Sequence, residues 1–241
     1  DLFQQEMESH SWVIDKARDV AVLYGFLEVS TPILERTEVF SRPLGQTSDV
    51  VSKETYTFND RGGDSLTLRP EGTAGIMRSV ISNGKFNELP LKFFYSGPMF
   101  RYERPQKGRL RQFNQIGIEL IGIAEPYSDV EVILCGIHFL KSLNVLGSCS
   151  LNINTLGDKE SRNLYRSSLI DYFQKNHSKM SNISKERLKI NPLRILDSKE
   201  TQDQEIIAQA PSFSSYLNAN SKKHFEKVLK YLEVNNIDYV Y

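Results

Sequence analysis

Apolar residues near the start of the chain, Val13, Ala17, Val20, Ala21 and Tyr24, recur at three- and four-residue steps. That spacing puts them on one face and predicts an amphipathic helix over residues 8–24, with Gly25 placed where a left-handed cap belongs. Residues 26–34 read as extended, and Pro32 confines them to a sheet edge or an interface, because proline cannot donate to a central ladder. Residues 55–58 and 65–69 alternate around a turn-rich link at 59–64, which predicts a β-hairpin.

After Pro70-Glu71-Gly72 a helix is expected over residues 73–83, stopped by Gly84, with strands following at 91–95, 99–103 and 112–123. Loops rather than helices join these strands, so an antiparallel sheet is predicted. Ser128 and Glu131 have the spacing of a capping box, opening a helix that reaches residue 143, and 150–154 is another short strand. Residues 1–156 therefore read as an α+β core. Beyond Leu156, helical periods at 159–176, 203–209 and 221–235 surround a Lys/Ser-rich stretch ending near Lys189, with almost no β pattern between them. This predicts a small helical domain over 157–235 inserted into the β-rich one. Residues 236–241 alternate like a strand returning to the core, and the chain stops inside that apparent strand, so a fragment of a longer protein is expected.

Composition narrows the class. The 241 residues carry 30 Lys+Arg against 30 Asp+Glu, with 39% hydrophobic and 25% charged residues, the balance of a globular protein with a core; disorder, collagen and a disulfide-stapled miniprotein are excluded. No apolar run reaches the roughly 18–20 residues of a membrane span, so no membrane association is expected. Cys135 and Cys149 sit in no metal-binding or redox motif and read as buried, reduced thiols of a cytoplasmic protein. His10, His138, His177 and His224 are spaced for no metal site.

A net charge of zero argues against a whole-molecule grip on nucleic acid, but the local balance differs. Lys92, Arg101, Arg104, Lys107, Arg109 and Arg111 face a single acid, Glu103, and Phe100, Tyr102 and Phe113 are interleaved with them. A solvated basic loop is the plain reading; a nucleotide or polyphosphate, met by stacking and by forked guanidinium contacts, is the sharper one. Neither G-x-G-x-x-G nor a P-loop occurs, so side chains would have to hold the phosphates. On the following strand, Phe113, Gln115, Gly117 and Glu119 share one face, and Asn114, Ile116, Ile118 and Leu120 the other. The polar row is either ordinary surface or a ligand face on which Gly117 leaves room for approach. Glu71 and Thr73 fall at a helix start, where capping and the binding of a ligand ammonium are both open.

Three segments, Leu68-Arg69-Pro70-Glu71-Gly72-Thr73, Phe100-Arg101-Tyr102-Glu103-Arg104-Pro105-Gln106-Lys107-Gly108-Arg109 and Arg111-Gln112-Phe113-x-Gln115-x-Gly117-x-Glu119, together resemble the catalytic domain of the bacterial-type histidyl-tRNA synthetases. The resemblance runs from about Tyr24 to the end and includes Pro192-Leu193-Arg194-Ile195-Leu196-Asp197-Ser198-Lys199. It implies a class II aminoacyl-tRNA synthetase fold, an antiparallel sheet flanked by helices with a helical insertion domain, in an obligate homodimer with Pro32 at the interface. It also implies roles: Arg101 on the α-phosphate of ATP as the catalytic group, Glu103 on the adenine amino group, Phe113 stacked on adenine and Arg109 at the outer phosphates. Glu71 and Thr73 would hold the ammonium of histidine, Gln115 its polar end and Glu119 its imidazole. ATP with Mg2+, histidine and tRNA(His) are the expected partners.

In such an enzyme the carboxylate of histidine attacks the α-phosphate without a covalent enzyme nucleophile, and the adenylate then passes its histidyl group to tRNA. The family's Leu-Val-Arg-Gly-Leu-Asp-Tyr-Tyr-like segment, which carries a further catalytic arginine, and its anticodon-binding domain have no match here, so the isolated chain is expected to be poorly active or inactive. The rival reading is a catalytically silent relative, such as the regulatory subunit of ATP phosphoribosyltransferase, or an RNA-sensing module; the complete ATP and histidine motifs favour the synthetase.

Overall fold

Helix α1 (Gln4–Leu23) ends as the sequence predicts. Gly25, at φ +78°, donates to Val22 O and Phe26 donates to Ala21 O, each at 2.9 Å, a Schellman closure that turns the buried Phe26 under the helix. The computed structural model describes residues 1–44, 54–104 and 106–241, and their contacts divide the chain into two units, Asp1–Cys149 and Ser150–Tyr241.

In the first unit, β1 (Leu27–Glu28) pairs in parallel with β5 (Leu91–Phe100), which pairs antiparallel with β6 (Gln112–Ile121) along its whole length, from Leu91↔Ile121 to Phe100↔Gln112. A separate antiparallel sheet has the order β2 (Leu34–Arg36), β4 (Ser65–Leu68), β3 (Thr57–Asn59), the last two forming the predicted hairpin. The parallel edge at β1 departs from the wholly antiparallel expectation; the long excursion between β1 and β5, through α2 (Glu38–Leu44) and α3 (Thr73–Ser82), is the crossover that parallel pairing needs.

The break expected between residues 95 and 99 is absent, and β5 continues through Gly97 and Pro98. Pro98 O accepts a hydrogen bond from Arg69, which is not on β6, so the polar groups of Pro98 face away from its ladder partner and the missing N–H costs no ladder bond. Helix α4 (Pro126–Ser142) opens at Pro126, not with a Ser128–Glu131 capping box. Ser128 donates its hydroxyl back to Glu125 O at 2.7 Å, and Glu131 instead pairs with Lys92 Nζ at 2.6 Å.

Both faces of the β5–β6 ribbon are packed. Ile116, Ile118 and Leu120 meet Ala17, Val20 and Ala21 of α1 and Cys135 of α4, where burial pushes the Cys135 thiol up to about 11 and leaves it a core residue, whereas Cys149, expected to be buried, is exposed just beyond that helix. The opposite face brings Tyr95, Met99 and Phe113 against Ile76 of α3.

The second unit contains β7 (Leu151–Asn152), α5 (Lys159–Lys175), α6 (Asn182–Ile190), α7 (Thr201–Ala208), α8 (Ala219–Val234) and β8 (Tyr239–Val240). The two strands, assigned from sequence to the main core, pair in parallel with each other inside this unit. Tyr165, Leu169 and Phe173, four residues apart on α5, pack with Met180, Ile195 and Ile206. Helix α6 lies in the stretch read only as Lys/Ser-rich, because its buried contact is polar. The Asp203 carboxylate, 1% exposed, accepts the Ser181 amide at 2.9 Å and the hydroxyls of Ser181, Ser184 and Ser198 at 2.8, 2.6 and 2.7 Å. Burial alone would raise its pKa, but these hydrogen bonds win and hold it at about 2. Among the described residues no helix is long and apolar enough to cross a membrane.

Candidate active site

The segment that leaves β4 is tied to β5 before it enters α3. Arg69 donates its amide to Ile33 O at 2.9 Å and accepts the Phe100 amide at 3.0 Å. Its guanidinium is buried, with Nε on Pro98 O at 2.9 Å and Nη1 on Thr31 O at 2.8 Å. Gly97 makes room for it, since a Cβ there would fall 2.5 Å from Arg69 Nη2. Burial lowers the Arg69 pKa from its ordinary value. Sequence reasoning gave this arginine no role of its own; its buried partners are backbone carbonyls that no side-chain pattern displays.

Glu71 caps α3: its two carboxylate oxygens accept the amides of Thr73 at 2.6 Å and Ala74 at 3.0 Å. Thr73 in turn donates its hydroxyl to Glu119 Oε1 at 2.7 Å. Burial, followed by the charge of Glu71, raises the Glu119 pKa, and the Thr73 hydrogen bond opposes that rise. Gln115, two residues along the same strand face as Phe113, has a buried Oε1 with no hydrogen-bond partner. Gly117 does not hold open a ligand channel, contrary to the sequence-based reading. The Tyr95 ring occupies that space, and a Cβ on Gly117 would fall 2.3 Å from Tyr95 Cζ.

At the far end of the ribbon, Arg101 Nε donates to Pro70 O at 3.0 Å, and its guanidinium lies 5.0 Å from the centroid of the Phe113 ring. Beyond β5 the chain reverses through Gln106–Arg109, where Arg109 donates its amide to Gln106 O at 2.9 Å and Gly108 supplies φ +81°. Glu103 Oε2 is buried and accepts no hydrogen bond, while Arg109 Nη1 lies 3.4 Å away as an ion-pair partner. Arg111 stacks over Tyr102 at 4.4 Å. Lys92 does not belong to this cluster: it sits at the opposite end of β5, bonded to Glu131 and to Tyr24 O. Pro105, part of the quoted motif, lies outside the described residues.

Glu71, Thr73 and Glu119 are thus gathered at the helix start, Arg101, Glu103, Arg109 and Phe113 lie at the turn end of the same ribbon, and Gln115 stands between them on the Phe113–Glu119 face of β6. The Arg101–Pro70 bond links the two groups through the residue before Glu71. A cavity of about 700 Å3 reaches Glu71 and Thr73 and is otherwise walled by β2, α2 and α3, with Val39, Met77 and the Glu35–Arg78 ion pair among its lining.

An antiparallel ribbon that presents arginines and an aromatic ring at its turn and acid and amide groups along the same face, without a glycine-rich phosphate loop, is the arrangement of a class II aminoacyl-tRNA synthetase core. Comparison with known proteins places the chain within that class. The family model described as histidyl-tRNA synthetase matches residues 1–233, and the chain belongs to that family. Curated histidine–tRNA ligases of Rhodospirillum rubrum and Gluconacetobacter diazotrophicus are 52% and 51% identical to it, each over 239 residues that make up 99% of this chain and 58% of the relative. The crystal structure of apo histidyl-tRNA synthetase from S. aureus superimposes with a TM-score of 0.77 at 33% identity, covering 100% of this chain and 54% of that one. The chain therefore spans somewhat over half the length of the curated relatives it matches.

Proposed function

We propose that this chain forms the ATP- and histidine-handling part of a histidine–tRNA ligase, the reading carried by the Thr73–Glu119–Gln115 face joined through Pro70 to the Arg101–Phe113 pair. Histidine offers an ammonium, an imidazole N–H and a carboxylate. Glu71 and Thr73 would receive the ammonium, Glu119 the imidazole, and the buried, unpartnered Gln115 Oε1 supports a ligand donor at that point. The substrate carboxylate would then face Arg101, whose guanidinium is tied to Pro70 O, one residue before Glu71.

Phe113 would carry the adenine, the buried Glu103 Oε2, which accepts no hydrogen bond, would accept its amino group, and Arg109 would leave its ion pair with Glu103 to reach the outer phosphates. Attack on the α-phosphate builds negative charge at phosphorus, and a pre-placed Arg101 stabilises it without a covalent intermediate. Among the described residues no three His, Cys, Asp or Glu side chains gather as a metal site. Mg2+ would arrive on the phosphates of ATP, the usual mode for this ion, and screen their charge.

The same reading assigns tRNA(His) as acceptor, the helical second unit as the insertion domain, the cytoplasm as location, and a homodimer. Ile33 and Leu34, beside Pro32 and 42% and 43% exposed, support an apolar interface there. The test is histidine-dependent exchange of pyrophosphate into ATP by the chain extended to the full length of its relatives. Histidine binding without exchange would favour the regulatory rival.

A further inference from the structure

Arg69 stands between two stretches of chain, the residues just before β2 and the end of β5, and bonds to each of them through both backbone and side chain. Toward the first, its amide donates to Ile33 O at 2.9 Å and Nη1 to Thr31 O at 2.8 Å. Toward the second, its carbonyl accepts the Phe100 amide at 3.0 Å and Nε donates to Pro98 O at 2.9 Å. The residue is 7% exposed, and the nearest acceptors of its guanidinium are carbonyls rather than a carboxylate. A buried charge held in this way is a poor means of filling space, since an apolar side chain would pack there at lower cost. What a guanidinium does supply is a flat, rigid fork, and a fork bonded at Nε and Nη1 fixes its two acceptors relative to each other.

The next residue carries that geometry into the site. Pro70 O accepts Arg101 Nε at 3.0 Å, and Phe100, bonded to Arg69 O, is the residue before Arg101. Consecutive carbonyls, of Arg69 and Pro70, thus hold the backbone just before Arg101 and the Arg101 side chain itself. Glu71, by contrast, is kept in place by its own bonds to the amides of Thr73 and Ala74.

We infer that Arg69 is a positioning residue for Arg101: its buried fork sets where the carbonyls of Arg69 and Pro70 stand, and these aim the Arg101 guanidinium at the reacting phosphate. This rests on the proposed role of Arg101 at the α-phosphate. Two substitutions disturb the fork without touching Arg101. Arg69→Lys keeps the charge but cannot bond both carbonyls from one rigid plane, and Gly97→Ala leaves every bonding group present while placing a Cβ 2.5 Å from Arg69 Nη2.

The test is single-turnover formation of histidyl-adenylate by the chain extended to its relatives' full length, with Arg69→Lys made alone and together with Arg101→Ala. Alone, Arg69→Lys is expected to slow the step about ten- to a hundredfold, the effect of misplacing a reacting group, with the KM for ATP changed less than about threefold. In the Arg101→Ala background the same substitution is expected to cost less than about twofold, because the group it places is gone. Gly97→Ala, carried through the same cycle, is expected to repeat the pattern and stands in for a lysine variant that does not fold. An equal further loss in both backgrounds, or an unchanged rate, would overturn the inference and leave Arg69 a packing residue. Failure of both variants to fold, read by thermal melts, would also overturn it, since the fork would then serve the fold and not the aim of Arg101. A wild-type protein that forms no adenylate from histidine and ATP would instead overturn the functional reading.

Discussion

Thr73 gives its hydroxyl proton to Glu119 Oε1 across 46 residues of sequence, fastening the first turn of α3 to the C-terminal part of β6. The acceptor's charge is central to the proposed selectivity. Glu119→Gln keeps an oxygen for Thr73 but loses the charge, and its amide can turn a donor toward the imidazole N–H. Histidine binding should weaken by about 1.5–3 kcal/mol with ATP binding unaffected, as calorimetry with each ligand would read. Equal losses for both would indicate damage to the strand.

Arg101→Ala should lower the rate of adenylate formation by about 10²–10³ in the full-length protein, the usual effect of removing one charge-stabilising group. Folding should survive, because the side chain makes one carbonyl hydrogen bond and one ring contact and is only partly buried. Pre-steady-state exchange kinetics beside a thermal melt would check both halves.

Asp203 should dominate the stability of the second unit. Asp203→Ala strands the donors of Ser181, Ser184 and Ser198 in the interior and should cost about 3 kcal/mol in urea unfolding at neutral pH. The pH dependence has a definite sign. A carboxylate held at about 2 against an ordinary 3.8 stabilises the fold fully above the ordinary value and loses that contribution as pH falls toward 2. Roughly 2 kcal/mol of acid sensitivity between pH 5 and 2 should therefore disappear in the variant.

Two glycines should answer oppositely to alanine. Gly117→Ala drives a methyl into the Tyr95 ring and should destabilise by about 1–3 kcal/mol. Gly136, inside α4 with nothing within 4 Å of a built Cβ, should gain about 0.5–1 kcal/mol on the same change. Thermal denaturation of both variants would show whether the Tyr95 wedge is as tight as its contacts indicate.

What could be read from the sequence follows from what periodicity and local chemistry encode. The cap at Gly25, the hairpin of β3 and β4, and the two faces of β6 are local patterns, and the structure has each. Helix α6 was invisible because its buried residue is a serine bonded to Asp203, a polar pairing 19 residues away that hydrophobic spacing does not report, and Leu188 packing against the core is too little to make a pattern. The continuity of β5 through Pro98 was hidden because it depends on which way one carbonyl points. Gly117 was misread for a related reason: the space beside it belongs to the residue across the ladder, Tyr95, and ladder register is not written in either strand alone. Lys92 looked like a phosphate ligand by its neighbours in sequence, whereas its partner Glu131 is on a distant helix. The site residues were legible as motifs, and the family resemblance already divided them between histidine and ATP; what only the fold supplies is the contacts, Thr73 with Glu119 and Arg101 with Pro70 and Phe113.

The central claim is that this ribbon activates histidine, and amino-acid-dependent exchange of labelled pyrophosphate into ATP measures it most directly. For the chain extended to its relatives' full length, with Mg2+ present, the account predicts exchange with histidine, none with other amino acids, and collapse of the histidine signal in Arg101→Ala. Exchange with no amino acid, or equal exchange with one lacking an imidazole, would contradict it.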